Sequence, residues 1–152
     1  MVARAAEGDE SARTEFARQY LSIVRAYLSA RWRSGPMLKW YDDAVQDVFL
    51  ECLRPDGPLA RVKADGSGRF RSFLFAVVRN IARRYEERRE TKAEKSRGDS
   101  VLEIVENDDE SIATAFDKAW AKTMLARAGE RHHAKAKDEG PESLKRVEIL
   151  RL

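Results

Sequence analysis

Apolar residues recur at helical spacing along most of the chain. Phe16, Tyr20, Ile23, Val24, Tyr27 and Leu28 make a first stripe that runs towards Trp32 and stops at Gly35-Pro36. Asp9 or Ser11 can cap its start. A second helix is predicted from near Asp42 to about Leu53, with Tyr41, Val45, Val48, Phe49 and Cys52 facing inwards. Arg54-Pro-Asp-Gly-Pro58 breaks it. Leu59 to Gly68 lacks periodicity and reads as a loop with one short turn. Phe70, Phe73, Leu74, Val77, Val78, Ile81 and Tyr85 then form a third stripe, in a helix expected to fray between Arg89 and Arg97.

Beyond it the composition changes. Residues 98–110 are acidic and read as a linker. Ile112, Phe116, Ala119, Trp120 and Thr123 predict a helix extending towards Arg131. Gly140-Pro141 ends that region, and Leu144, Val147 and Leu150 suggest a short final helix. The fold class is therefore all-α: a three-helix bundle over residues 9–97, a linker, and a C-terminal helical segment over 111–152.

Charge is unevenly spread. Residues 69–97 hold ten Lys/Arg against four Asp/Glu, for +6, whereas residues 1–68 are neutral and residues 98–152 carry −3. Charge focused on one helix attracts a polyanion, whereas an even scatter mainly confers solubility. The third helix pairs its apolar stripe with Arg69, Arg71, Ser72, Phe75, Arg79, Asn80, Arg83 and Arg84 on its remaining surface. Two readings fit: an amphipathic core helix with a solvated basic face, or a nucleic-acid-reading helix. In the second, arginine meets phosphates or base edges, the amide reads a base and the ring stacks. The concentration of charge favours the second, and the commitment of the stripe to a core favours nucleic acid over membrane.

Other chemistry is sparse. The lone Cys52 rules out an internal disulfide and, on an apolar face, reads as a small core residue. His132 and His133 are adjacent and point about 100° apart on a helix, so they do not make an i, i+4 metal pair. Glu86-Glu87 and Glu103 with Glu106 have no partner base, nucleophile or pocket signature, so no enzyme, cofactor or metal is expected. No stretch approaches the roughly 20 apolar residues of a membrane span, and Met1 to Glu10 lacks a signal-peptide core. A cytoplasmic location is expected. On the second helix, Asp43, Gln46, Asp47, Leu50 and Arg54 fall opposite the core stripe. This is either an ordinary solvated face or a protein-docking face, with Leu50 as the apolar anchor among acidic and amide groups.

Asp42-Asp-Ala-Val-Gln-Asp-Val-Phe-Leu50, a glycine-containing loop, and Gly68-Arg-Phe-Arg-Ser-Phe-Leu-Phe-Ala-Val-Val-Arg-Asn-Ile-Ala-Arg83 together resemble conserved region 2 of bacterial RNA polymerase sigma factors, most of all the extracytoplasmic-function group. The resemblance covers about residues 11–89, with two motifs in the right order on the right elements. It implies a transcription initiation factor that docks on RNA polymerase core and recognises and melts the promoter −10 element. Asp43, Gln46 and Asp47 match positions that face the clamp helices of the largest polymerase subunit. Arg79 and Asn80 match the pair that meets −10 DNA, and the loop ending at Gly68 matches one that captures a flipped non-template base. Flipping costs a few kcal/mol, offset by contacts of about 1–3 kcal/mol per base. An anti-sigma regulator is a further partner of such a factor.

Three departures stand out. Phe73 occupies a position where the family often has tryptophan, and the loop from Pro55 to Gly68 is long. Residues 98–152 offer no helix-turn-helix to read a −35 element. That leaves a fragment, or a divergent member lacking the domain. The alternative from another class is a helical interaction module whose basic helix binds an acidic regulatory protein.

Overall fold

The computed structural model describes residues 1–33, 35–62, 67–97, 109–142 and 145–146, and among these it is all-α with no strand. The α-helices are α1 (Val2–Ala6), α2 (Glu10–Arg31), α3 (Tyr41–Leu53), α4 (Pro58–Arg61), α5 (Ser67–Arg97) and α6 (Asp109–Glu139). A 3-10 helix over Pro36–Trp40 leads directly into α3.

Local chemistry sets most boundaries. Asp9 caps α2, its carboxylate accepting from the Ala12 amide at 3.0 Å. Asp42, near which this helix was expected to begin, lies in the first turn of α3, where its negative charge favours the helix N-terminus. Pro36 at the start of the 3-10 helix turns the expected stop into a short helical approach that carries Trp40. At the α3–α4 turn Asp56 has φ 53°, and a Cβ on Gly57 would sit 2.8 Å from the Arg54 carbonyl oxygen. Only glycine allows that approach. The expected fraying after Arg89 does not occur: α5 continues to Arg97 through a run of Arg, Glu, Lys and Ala, which are good helix formers.

The stripes of α2, α3 and α5 close on one another as their periodicity predicts. Phe16, Tyr20, Ile23, Val24, Tyr27 and Leu28 of α2 are buried, as are Ala44, Val45, Val48 and Cys52 of α3. From α5 the core takes Leu74, Val77, Val78, Ile81, Ala82 and Tyr85. Phe70 and Phe73, at the N-terminal end of that stripe, are only half-buried. Burial pushes the Cys52 thiol up to about 12, which makes it inert at neutral pH.

α6 is not a separate appendage. It packs along α2, and Ile112 and Phe116 belong to the same core as the N-terminal helices. Contacting rings of Phe16, Tyr20, Phe70, Trp120, Phe116, Phe75 and Tyr27 link α2, α5 and α6. α6 starts at Asp109, within the stretch expected to be linker, and runs past Arg131 to Gly140, whose φ of 113° ends it. The rest of the acidic segment, residues 63–66 of the loop that the resemblance expects to capture a base, and Leu144, Val147 and Leu150 lie outside the described residues. Among the described residues, no helix is long and apolar enough to cross a membrane.

Candidate nucleic-acid interface

α5 is held by polar clamps as well as by its stripe. Glu86 accepts from Arg31 through both carboxylate oxygens, at 2.6 and 2.8 Å, and from the Trp32 indole at 2.9 Å. Arg31 also donates to the Tyr27 hydroxyl at 2.9 Å, and its side chain is only 8% exposed. The carboxylate raises the Arg31 pKa further, so the guanidinium stays charged. Burial holds the Tyr27 phenol above its ordinary pKa, and Arg31 works against that shift. Sequence reasoning named Glu86 but gave it no partner. Its signal was position, at the edge of the apolar stripe, where a carboxylate needs a partner.

The eight expected DNA-contacting residues fall on three strips of α5. Ser72, Asn80 and Arg83 are exposed on the outward strip with Arg69, and Arg79 is half-buried beside them. Arg71 and Phe75 turn towards α6. Arg71 pairs with Asp117. Phe75 does not stand out as a stacking ring. Its ring meets Tyr27 edge-on at 5.5 Å and Phe116 edge-on at 5.1 Å. The physical reason is α6, which covers the edge of the stripe that three helices alone would leave open.

Arg84 turns the other way, towards α3 and the 3-10 helix. It lines one groove with Asp47, Leu50, Glu51 and Arg88, and a neighbouring groove with Trp40, Arg89 and Lys92. No apolar periodicity marks Trp40, Arg88, Arg89 or Lys92, and sequence reasoning assigned them nothing.

On α3, Asp43 and Gln46 are exposed and Leu50 is 60% exposed, so three of the four expected docking residues share an open face. Asp47 does not. It is half-buried and accepts a hydrogen bond from the Tyr85 hydroxyl, because Tyr85 ends the α5 stripe and reaches across to α3. Burial, reinforced by the Asp47 carboxylate, pushes the Tyr85 phenol up to about 12. Among the described residues no cluster of His, Cys, Asp and Glu has the geometry for a metal ion. Compared with known proteins, the chain matches no family model, no curated protein and no solved structure.

Proposed function

We propose that this chain is a sigma-factor-like transcription initiation module. It docks on RNA polymerase core through α3 and engages the non-template strand of a promoter −10 element with the outward strip of α5. The role requires no covalent chemistry. The observation that carries the reading is the pairing of two motif-bearing helices: α3 and α5 pack together, with Asp43, Gln46 and Leu50 exposed on one and Asn80 and Arg83 exposed on the other. A basic strip with a central amide can both position a strand by its phosphates and read a base. An apolar anchor ringed by polar groups suits a protein partner.

The test uses core polymerase and a pre-melted promoter fork. Asp43→Arg should abolish most core capture in a pull-down with helical circular dichroism unchanged. It is a cleaner probe than Asp47, which holds Tyr85. In the assembled holoenzyme, Arg83→Ala should weaken binding to every fork sequence and flatten the salt dependence by about 0.7 in the log–log slope. Asn80→Ala should change preference among −10-like sequences with the slope unaltered. Retained core capture by Asp43→Arg would sink the docking face. Equal losses for the two α5 variants on every sequence would favour a generic basic helix that binds an acidic protein.

A further inference from the structure

The groove between the 3-10 helix and the C-terminal half of α5 belongs to neither proposed face. Trp40, Arg84, Tyr85, Glu87, Arg88, Arg89, Thr91 and Lys92 line it, and its volume is about 550 Å³. That is within the range of clefts that hold small ligands, roughly 300–1,000 Å³. Four cations stand against one carboxylate, and Lys39 adds a fifth at the rim. None of Lys39, Arg84, Arg88, Arg89 and Lys92 forms an ion pair with a described residue.

Aromatic rings hold three of these cations. The Lys39 ammonium lies 5.1 Å and the Lys92 ammonium 5.4 Å from the Trp40 ring centroid, and the Arg88 guanidinium lies 5.6 Å from that of Tyr85. A ring within about 6 Å attracts a cation through its quadrupole without cancelling its charge. A carboxylate would cancel it. The rings themselves are fixed, since Tyr85 is buried and Trp40 packs on it at 6.1 Å. The result is a row of positioned donors that outnumber the single lining carboxylate, Glu87, and form no ion pair with it, and its chemical complement is a run of phosphate oxygens. Spacing along α5 suits a strand better than a single anion. Arg84, Arg88 and Lys92 follow one another at one-turn intervals, about 6 Å apart along the axis.

We propose that this groove is a phosphodiester-binding track that takes the backbone of a single nucleic-acid strand as it leaves the outward strip of α5. Trp40 and Tyr85 serve as platforms that position Lys92, Lys39 and Arg88. The inference rests on the nucleic-acid reading of α5 and extends it to Lys39, Trp40, Arg88, Arg89 and Lys92.

The test is fluorescence anisotropy of the full chain with a fluorescein-labelled single-stranded oligodeoxynucleotide of mixed sequence, across a salt series starting at low ionic strength. Arg88→Gln and Lys92→Gln should each weaken binding roughly tenfold and flatten the log–log salt slope by about 0.7. Trp40→Leu should weaken binding through loss of the platform, and Trp40→Phe should restore it. Circular dichroism and a melt of each variant separate this from unfolding. If the glutamine variants bind as wild type while Arg83→Ala loses affinity, the track is wrong and the outward strip stands. If the glutamine variants lose affinity while Asn80→Ala and Arg83→Ala do not, the track stands and the promoter reading falls. Absence of strand binding by the wild-type chain at low salt overturns the track. So does ATP titrated alone binding as tightly as the strand, which would make the occupant a free nucleotide.

Discussion

The two flanks of α5 treat their cations in opposite ways. On the side of α2 and α6, Arg31 is locked to Glu86, Arg71 to Asp117, and Arg33 donates to Ser111 at 3.0 Å. On the side of α3 and the 3-10 helix, Arg88 and Lys92 rest on aromatic rings and meet no carboxylate within ion-pair distance. The first flank spends its charge on joining helices. The second leaves its charge without a carboxylate partner among the described residues. Charge counted along the sequence does not separate these uses, because it depends on which helix packs on which side.

The sharpest way to break this comparison is to remove one charge from each flank. Glu86→Ala leaves Arg31 nearly buried without a counter-charge and deprives Trp32 of its acceptor. Breaking a buried pair costs about 3–5 kcal/mol, and the 22% exposure of Glu86 places this case near 3. Arg88→Ala on the open flank should change stability by less than about 0.5 kcal/mol, as is usual for exposed positions. Urea denaturation of both variants checks the contrast. Comparable losses would show that the ring-held cations also have a structural role.

A second probe sharpens the role of α6. Phe75→Ala should cost about 2 kcal/mol, roughly half of what a fully buried ring costs, because the ring is half-buried against Tyr27 and Phe116. Because Phe75 lies off the α5 stripe, a bundle of three helices alone would leave the ring open and the substitution mild. The stripes of α2, α3 and α5 were legible because each faces the others at a period of 3.6, and period alone identifies such faces. What lies over the edge of a stripe is a question of tertiary packing. The α6 pattern of Ile112, Phe116 and Trp120 announced a helix but not its resting place on α2. Asp47 shows the same limit: its wheel position is outward, and only the reach of Tyr85 from α5 draws it into a bond. Trp40 was illegible for another reason, since it lies on a short 3-10 segment with no period to read.

The two tyrosines on opposite flanks give a smaller, pH-dependent contrast. Tyr85 donates to a carboxylate and its pKa rises to about 12, whereas Tyr27 accepts from Arg31, which opposes its rise. A raised pKa in the folded state means that the unfolded chain gives up its proton first as the pH climbs. The stabilisation is therefore complete below about pH 10 and is lost between roughly 10 and 12. Tyr85→Phe should remove roughly 1–2 kcal/mol of that alkaline loss, and Tyr27→Phe should flatten the curve less. Chemical denaturation at a series of pH values from 8 upwards, about one unit apart, measures both. Equal flattening by the two variants would mean that Asp47 does not hold the Tyr85 hydroxyl.

A near-zero effect is expected at one of two tryptophans. The Trp32 indole donates to Glu86, whereas the Trp40 indole nitrogen is buried without a hydrogen-bond partner. Replacing each by Phe removes a similar apolar area and one N–H. At Trp32 the loss orphans one of the bonds to a charged acceptor, which costs about 1.5–3 kcal/mol. At Trp40 the same change removes a buried donor that was already unsatisfied, whose desolvation costs about 1–3 kcal/mol in the native protein. That relief offsets the lost ring area, so Trp40→Phe should lie within about 0.5 kcal/mol of wild type. Thermal melts of the two variants check the difference directly. A loss at Trp40 as large as that at Trp32 would show that its N–H has an acceptor in solution. The open flank would then be closed by a polar contact, and the comparison between the two sides of α5 would fail at the residue on which its cations rest.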